Sequence, residues 1–204
     1  MKKANVFLIG GAPGVGKTTL GRALATKLGL VSVSVDDLMT VAQAVTTPET
    51  HLGLHVMRKV PHLEYFTHSP VEQLKADADI QHEAAWPFLK QLILKRATWD
   101  TSPIVIDGWH LRPHRVAELN LPTVWSSWIV VEPDVLVERE NNNRQWLQGS
   151  SDPDRMLDNF LARSLWYNEL IQQQASEWQM NILWQTGDVS VDALCQMVLA
   201  AIDK

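Results

Sequence analysis

The sequence predicts an α/β fold, a five-stranded parallel sheet with helices on its faces. Three observations carry this expectation. Five short runs rich in β-branched residues (5–9, 31–35, 104–106, 127–131 and 181–184) alternate with helix-length stretches, as in successive βαβ units. The first run leads through a glycine-rich loop into a helical stretch at 19–28. The chain of 204 residues is long enough for one sizeable α/β domain with a small insertion.

The elements follow in order. Lys2-Lys3 reads as a solvated start, and Val6-Phe7-Leu8-Ile9 as the first strand. The second run, Val31-Ser32-Val33-Ser34-Val35, ends in Asp36-Asp37, with a helix expected from 37 to about 45. Residues 46–69 carry Pro48, Pro61, His51, His55, His62 and Arg58-Lys59, and read as a helix-and-loop insertion over the sheet edge. Ser69-Pro70-Val71-Glu72 is a capping box with proline at the first helical position. It opens a long helix towards Trp99, with a kink or break expected near Trp86 because Pro87 lacks an amide donor. The third strand ends in Asp107-Gly108. Asp152-Pro153 starts a helix running to about Trp178, and a last strand ends before Gln185-Thr186-Gly187-Asp188.

Composition narrows the function classes. The net charge of −5 gives no global basic field, which argues against a long nucleic-acid partner. A single cysteine, Cys195, permits no internal disulfide and fits a reducing cytoplasmic setting; it lies in an apolar helical stretch and reads as a core thiol. No apolar run approaches the roughly 18 residues of a membrane span, and no membrane partner or signal peptide is expected. Oligomeric state leaves no trace in the sequence. Nine tryptophans scatter through the elements and read as core or groove residues.

The chemistry concentrates in Gly11-Ala12-Pro13-Gly14-Val15-Gly16-Lys17-Thr18, a complete G-x-x-x-x-G-K-[ST] loop in the strand–loop–helix setting that it requires. Glycines let the backbone wrap an anion, and free N–H groups at the helix start face it. These residues, with Thr19, are the expected nucleotide-binding set. Lys17 is expected on the β- and γ-phosphates of ATP and the Thr18 hydroxyl on Mg²⁺. Asp107, at the end of the third strand, is expected to join Thr18 at the metal.

Asp36 sits at the edge where ligands bind in open α/β sheets, and suits accepting a proton from an acceptor hydroxyl. It equally suits capping the next helix, and with Asp37 beside it the two carboxylates can divide the tasks. Asp37, Arg58 and His110 are the expected substrate-binding residues. His110 belongs to Trp109-His110-Leu111-Arg112-Pro113-His114-Arg115, where Arg115 reads as solvated. Arg139 and Arg144 flank Asn141-Asn142-Asn143 in a polar segment, 139–151, that reads as a mobile lid placing guanidinium charge on the transferring group. An exposed helix end laced with ion pairs is the alternative there. The histidines at 51, 55 and 62, spaced by 4 and 7, lack a compact zinc-ligand pattern.

Together these features resemble the small-molecule kinases of the P-loop NTPase superfamily. The closest likeness is to the 2-phosphoglycerate kinase and zeta-toxin-like group, through Ser34-Val35-Asp36-Asp37-Leu38, Ile104-Val105-Ile106-Asp107-Gly108-Trp109-His110-Leu111 and Asn159-Phe160-Leu161-Ala162-Arg163. The resemblance spans most of the chain and implies a three-layer α/β/α fold, a five-stranded parallel sheet in order 2-3-1-4-5 and a helical lid. Many relatives carry an arginine shortly after the strand–Asp motif; here Met39 stands there, and Arg58-Lys59 offers a replacement charge. The implied activity is ATP- and Mg²⁺-dependent transfer of the γ-phosphoryl group to a hydroxyl of a small polar or phosphorylated metabolite. Two alternatives stay open: a nucleotide-dependent switch or slow NTPase, and a nucleotide or nucleotide-sugar kinase. Asn-Lys-x-Asp, the guanine signature, is absent.

Overall fold

All five expected runs are strands in the computed structural model, which describes residues 4–58, 60–98 and 102–202. Lys2, Lys3, Lys59 and Trp99 lie outside the described residues. The strands are β1 (Val6–Gly11), β2 (Val31–Ser34), β3 (Ile104–Asp107), β4 (Val124–Val131) and β5 (Asn181–Gln185). They form one parallel sheet in the order β2-β3-β1-β4-β5, as the resemblance implies. Every residue of β1 and β3 is buried, which is why both read as unbroken apolar runs rather than alternating ones. Register sets Asp107 beside Ile9 on β1 and beside Ser34 on β2, so the strand-end acid lies next to the glycine-rich loop.

Helix α1 (Lys17–Leu28) begins directly after Gly16, whose φ of +97° is in the left-handed region, and ends at Gly29. Helix α2 (Val35–Ala44) corrects the expected boundary. The second strand stops at Ser34, and the Ser34 hydroxyl accepts a hydrogen bond from the Asp36 amide at 3.3 Å. Ser34 therefore caps the helix, and Asp36 and Asp37 occupy its first turn. Gly108 permits this crowding: a Cβ there would lie 2.4 Å from Cβ of Val35.

Residues 46–69 contain α3 (Leu52–His55), a 3₁₀ turn (Val56–Arg58) and α4 (His62–His68). Helix α5 (Val71–Thr98) runs without interruption through Pro87, so the expected break does not occur. Leu74, Ala78, Ala85, Leu89 and Ile93 form a buried stripe at helical spacing along it. Burial of that stripe on both sides of Pro87 outweighs the missing backbone hydrogen bond. A short α6 (Pro113–Ala117) precedes β4, and α7 (Pro133–Asn142) and a second 3₁₀ turn (Gln145–Leu147) follow it. The expected lid thus comprises the last turn of α7 and this turn. Helix α8 (Pro153–Glu177) starts at Asp152, whose carboxylate accepts from the Arg155 amide at 3.1 Å. Helix α9 (Val191–Ile202) closes the described chain and buries Cys195. No described helix is long and apolar enough to cross a membrane.

Candidate active site

Two cavities open side by side at the C-terminal edge of the sheet. One, of about 510 Å³, lies over the loop and is lined by Gly14, Gly16, Lys17, Thr18, Thr19 and Arg163 among others. The second, of about 730 Å³, lies over α2 and the 46–69 segment. Asp36, Met57, His62 and Trp109 line both, so the cavities meet there.

In the first cavity the Lys17 ammonium donates to the Ala12 carbonyl at 2.7 Å, spanning the base of the loop. Burial lowers its pKa to about 8, against the opposing pull of Asp36 and Asp107, and the Arg163 charge lowers it further. The Thr18 hydroxyl donates to Oδ1 of Asp107 at 2.6 Å. Oδ2 of Asp107 is buried with no hydrogen-bond partner. Desolvation raises the Asp107 pKa, while the bond from Thr18 and the Lys17 charge oppose that rise. A hydroxyl oxygen beside a half-satisfied buried carboxylate is a donor set of the hard oxygen kind that magnesium takes, so Thr18 and Asp107 fit the ion that the sequence motif leads one to expect.

Asp36 is exposed to the cleft where the two cavities meet. Desolvation by the cleft walls raises its pKa; Lys17 opposes this and Asp37 adds to it. Asp37 itself is exposed and lines neither cavity. His110 is buried and lines the second cavity, its Nε2 3.4 Å from Oε1 of Gln81. Burial and the Lys17 and Arg112 charges lower its pKa to about 3, so the ring is neutral. Arg58 is exposed at the rim of the same cavity.

The two lid arginines part company. Arg139 reaches the loop from α7, with one guanidinium nitrogen 3.5 Å from the Val15 carbonyl. Arg144 is exposed, ion-paired with Asp154, and lines neither cavity. Arg163, on α8, lines the phosphate-loop cavity. It is 4% exposed, has no ion-pair partner among the described residues, and keeps a buried Nε without a hydrogen bond. Its guanidinium carbon lies 4.5 Å from the ring centre of Phe66, 4.9 Å from Trp109 and 5.7 Å from Phe160. Desolvation lowers its pKa to about 10, which still leaves it charged near neutrality.

The elements explain this placement. The side-chain amide of Asn168 on α8 bonds both the amide (3.1 Å) and the carbonyl (2.9 Å) of Val131, fixing α8 to the end of β4. Asn159 donates to the Phe66 carbonyl at 2.8 Å, which brings α4 and its aromatic ring over Arg163. The run 159–163 stands out in the sequence, but an aromatic cage assembled from three separate segments leaves no local signal there. Glu140 is a further surprise. It is buried in the first cavity, and its Oε1 would lie 2.6 Å from a Cβ on Gly14, whose φ is +81°.

No family model matches the chain. Solved structures resemble it over nearly its whole length. A shikimate kinase from Bacteroides thetaiotaomicron has 19% identity and a TM-score of 0.55, covering 98% of each chain. A gluconokinase from Sinorhizobium meliloti 1021 has 16% identity and a TM-score of 0.57, covering 100% of this chain and 94% of that one. A deoxyadenosine kinase from M. mycoides, solved with bound dATP, has 11% identity and a TM-score of 0.54, covering 98% of this chain and all of that one. At these identities the likeness is one of fold: the chain, with its parallel sheet in the order β2-β3-β1-β4-β5, shares the fold of these structures over nearly its whole length.

Proposed function

We propose that this protein is a phosphotransferase that moves the γ-phosphoryl group of ATP to a hydroxyl of a small molecule. One observation carries the reading: the cavity over the phosphate loop and the second cavity meet at Asp36. A carboxylate between a phosphate site and a second pocket is where an acceptor hydroxyl must lose its proton as it attacks phosphorus. Its raised pKa brings its basicity nearer to neutrality, where the proton transfer runs.

Lys17 and Arg163 flank the cleft from opposite elements, α1 and α8, and both are buried. Their fixed charges lie in a site of low polarity and suit the charge that spreads over the transferring oxygens. Thr18 and Asp107 would hold a magnesium ion, whose chemistry is to offset charge on the phosphate oxygens. Arg139 is suited to the nucleotide side of the loop. The narrower likeness to 2-phosphoglycerate kinases rests on sequence runs alone.

The test is calorimetric titration with Mg²⁺·ATP, followed by ADP release against a metabolite panel and an acceptor-free blank. Wild-type protein is expected to bind ATP and to release ADP above the blank with some acceptor. Lys17→Ala, folded by circular dichroism, is expected to lose transfer. Wild-type turnover by Lys17→Ala overturns the assignment. ADP release that no acceptor raises above the blank favours a slow NTPase.

A further inference from the structure

We infer that the acceptor is an uncharged, nucleoside-sized alcohol with an apolar face, and not a phosphorylated metabolite. The inference rests on the phosphotransferase reading and assigns the second cavity its ligand class.

The cavity's charge inventory decides the point. A phosphate ester taken out of water needs cations to pair with it, because a buried, unpaired anion is strongly disfavoured. Among the described lining residues the cavity offers one cation, Arg58, and it stands exposed at the rim. The neighbouring arginines are already engaged. Arg112 donates to Nδ1 of His82 at 3.1 Å and is ion-paired with Asp79. Arg115 is ion-paired with Glu83. Arg163 lines the phosphate-loop cavity instead. The two lining histidines, His62 and His110, are held towards the neutral form by desolvation and by nearby cations. Asp36 adds a negative charge to the same wall. Among the described residues the cavity therefore has no excess of positive charge with which to hold a second phosphate beside the one being transferred.

Its remaining surface points the same way. Met39, Met57, Val60 and Pro61 supply an apolar wall, and the methionines can shape themselves to a ligand face. The polar groups are acceptor-rich. Gln43 donates its amide to the Leu54 carbonyl at 2.7 Å, and Gln81 donates to the same oxygen at 3.4 Å. With the Gln43 nitrogen engaged, the Gln43 side-chain carbonyl oxygen and Asp36 favour O–H and N–H donors on the ligand, while Oε1 of Gln81 faces His110. Such a surface offers an anion little pairing charge and suits neutral hydroxylated compounds. A volume of about 730 Å³ exceeds what a three-carbon phosphoester fills, and lies within the range of roughly 300–1,000 Å³ typical of sites for drug-sized ligands.

The experiment uses matched pairs. Full-length protein with Mg²⁺·ATP is given nucleosides, aryl glycosides and cyclic polyols, each beside a monophosphate of the same compound that keeps a free hydroxyl. 2- and 3-Phosphoglycerate complete the panel. ADP release is read against the acceptor-free blank, and products are identified by mass. The inference expects turnover among the free alcohols, with kcat/KM at least about tenfold above the matched monophosphate. Preference for a monophosphate or a phosphoglycerate overturns it while leaving the kinase reading intact. A silent panel from a protein that binds Mg²⁺·ATP by calorimetry overturns it too, and favours the slow NTPase over the kinase. Failure to bind Mg²⁺·ATP at all defeats the underlying reading instead.

Discussion

Burial disfavours the charged forms of both Lys17 and Asp107. The folded pKa of Lys17, about 8, lies below its ordinary 10.5. The unfolded chain thus binds more protons between those values, and stability rises with pH across that window as the folded-state amine loses its proton. Chemical denaturation from pH 7.5 to 10.5 is expected to show a gain in wild type, at most about 3 kcal/mol, that Lys17→Met lacks. Equal slopes for the two proteins contradict it. Asp107 works in the other direction. Its folded pKa is raised, so ionisation above its ordinary pKa costs the fold stability. Asp107→Asn keeps an acceptor for the Thr18 hydroxyl and removes the charge. At pH 7.5, without nucleotide, it is expected to melt about 2–4 °C higher, equivalent to about 1 kcal/mol, while losing the extra stabilisation that Mg²⁺ with ATP gives wild type. Asp36→Asn is expected to cut turnover by about 100-fold or more with ATP affinity within about threefold, because asparagine keeps the shape but not the basicity. Full activity in Asp36→Asn with a dead Asp37→Asn would move the role to Asp37.

At the scale of elements, α8 holds the cleft's second charge, and α7 and its following turn supply less than a lid of arginines would. Arg163→Met is expected to lower turnover by about 10³-fold, with lysine restoring only part of it for want of the planar fork. The same change should leave the ligand-free fold equally or more stable, since it removes a buried charge that has no ion-pair partner among the described residues. Arg144→Ala breaks an exposed pair with Asp154 and is expected to change stability by less than about 1 kcal/mol and turnover by less than about twofold. Steady-state kinetics and thermal melts on the pair of variants check both statements; a larger loss in Arg144→Ala than in Arg163→Met would restore the lid arginine. On α5, Pro87 is exposed in an unbroken helix. Pro87→Ala returns an amide donor and is expected to raise the melting temperature by about 2–4 °C or more.

Across the whole molecule, what the sequence made legible was what short-range patterns encode. The glycine-rich loop, the apolar runs of β1 and β3 and the strand-end Asp107 depend on neighbours in sequence, and each lies where its pattern placed it. Helix α5 was legible in its start but not in its passage through Pro87, because a long buried stripe outweighs one lost hydrogen bond. The start of α2 was misplaced by one cap, since Ser34 and Asp36 are both good caps and the Ser34 hydroxyl is the one that accepts, from the Asp36 amide. The surroundings of Arg163 were the least legible feature. Its cage joins Phe66 on α4, Trp109 after β3 and Phe160 on α8, contacts that no local pattern announces. That cage, Lys17 and the shared wall at Asp36 form one proposal about where a phosphoryl group leaves one cavity for the other. A crystal structure with Mg²⁺ and a non-hydrolysable ATP analogue tests it most directly. The account predicts the γ-phosphoryl group between Lys17 and Arg163, with the Asp36 carboxylate on its open side facing the second cavity. A γ-phosphoryl group turned away from that cavity, or an Arg163 left in its cage out of reach of the phosphate oxygens, would contradict it.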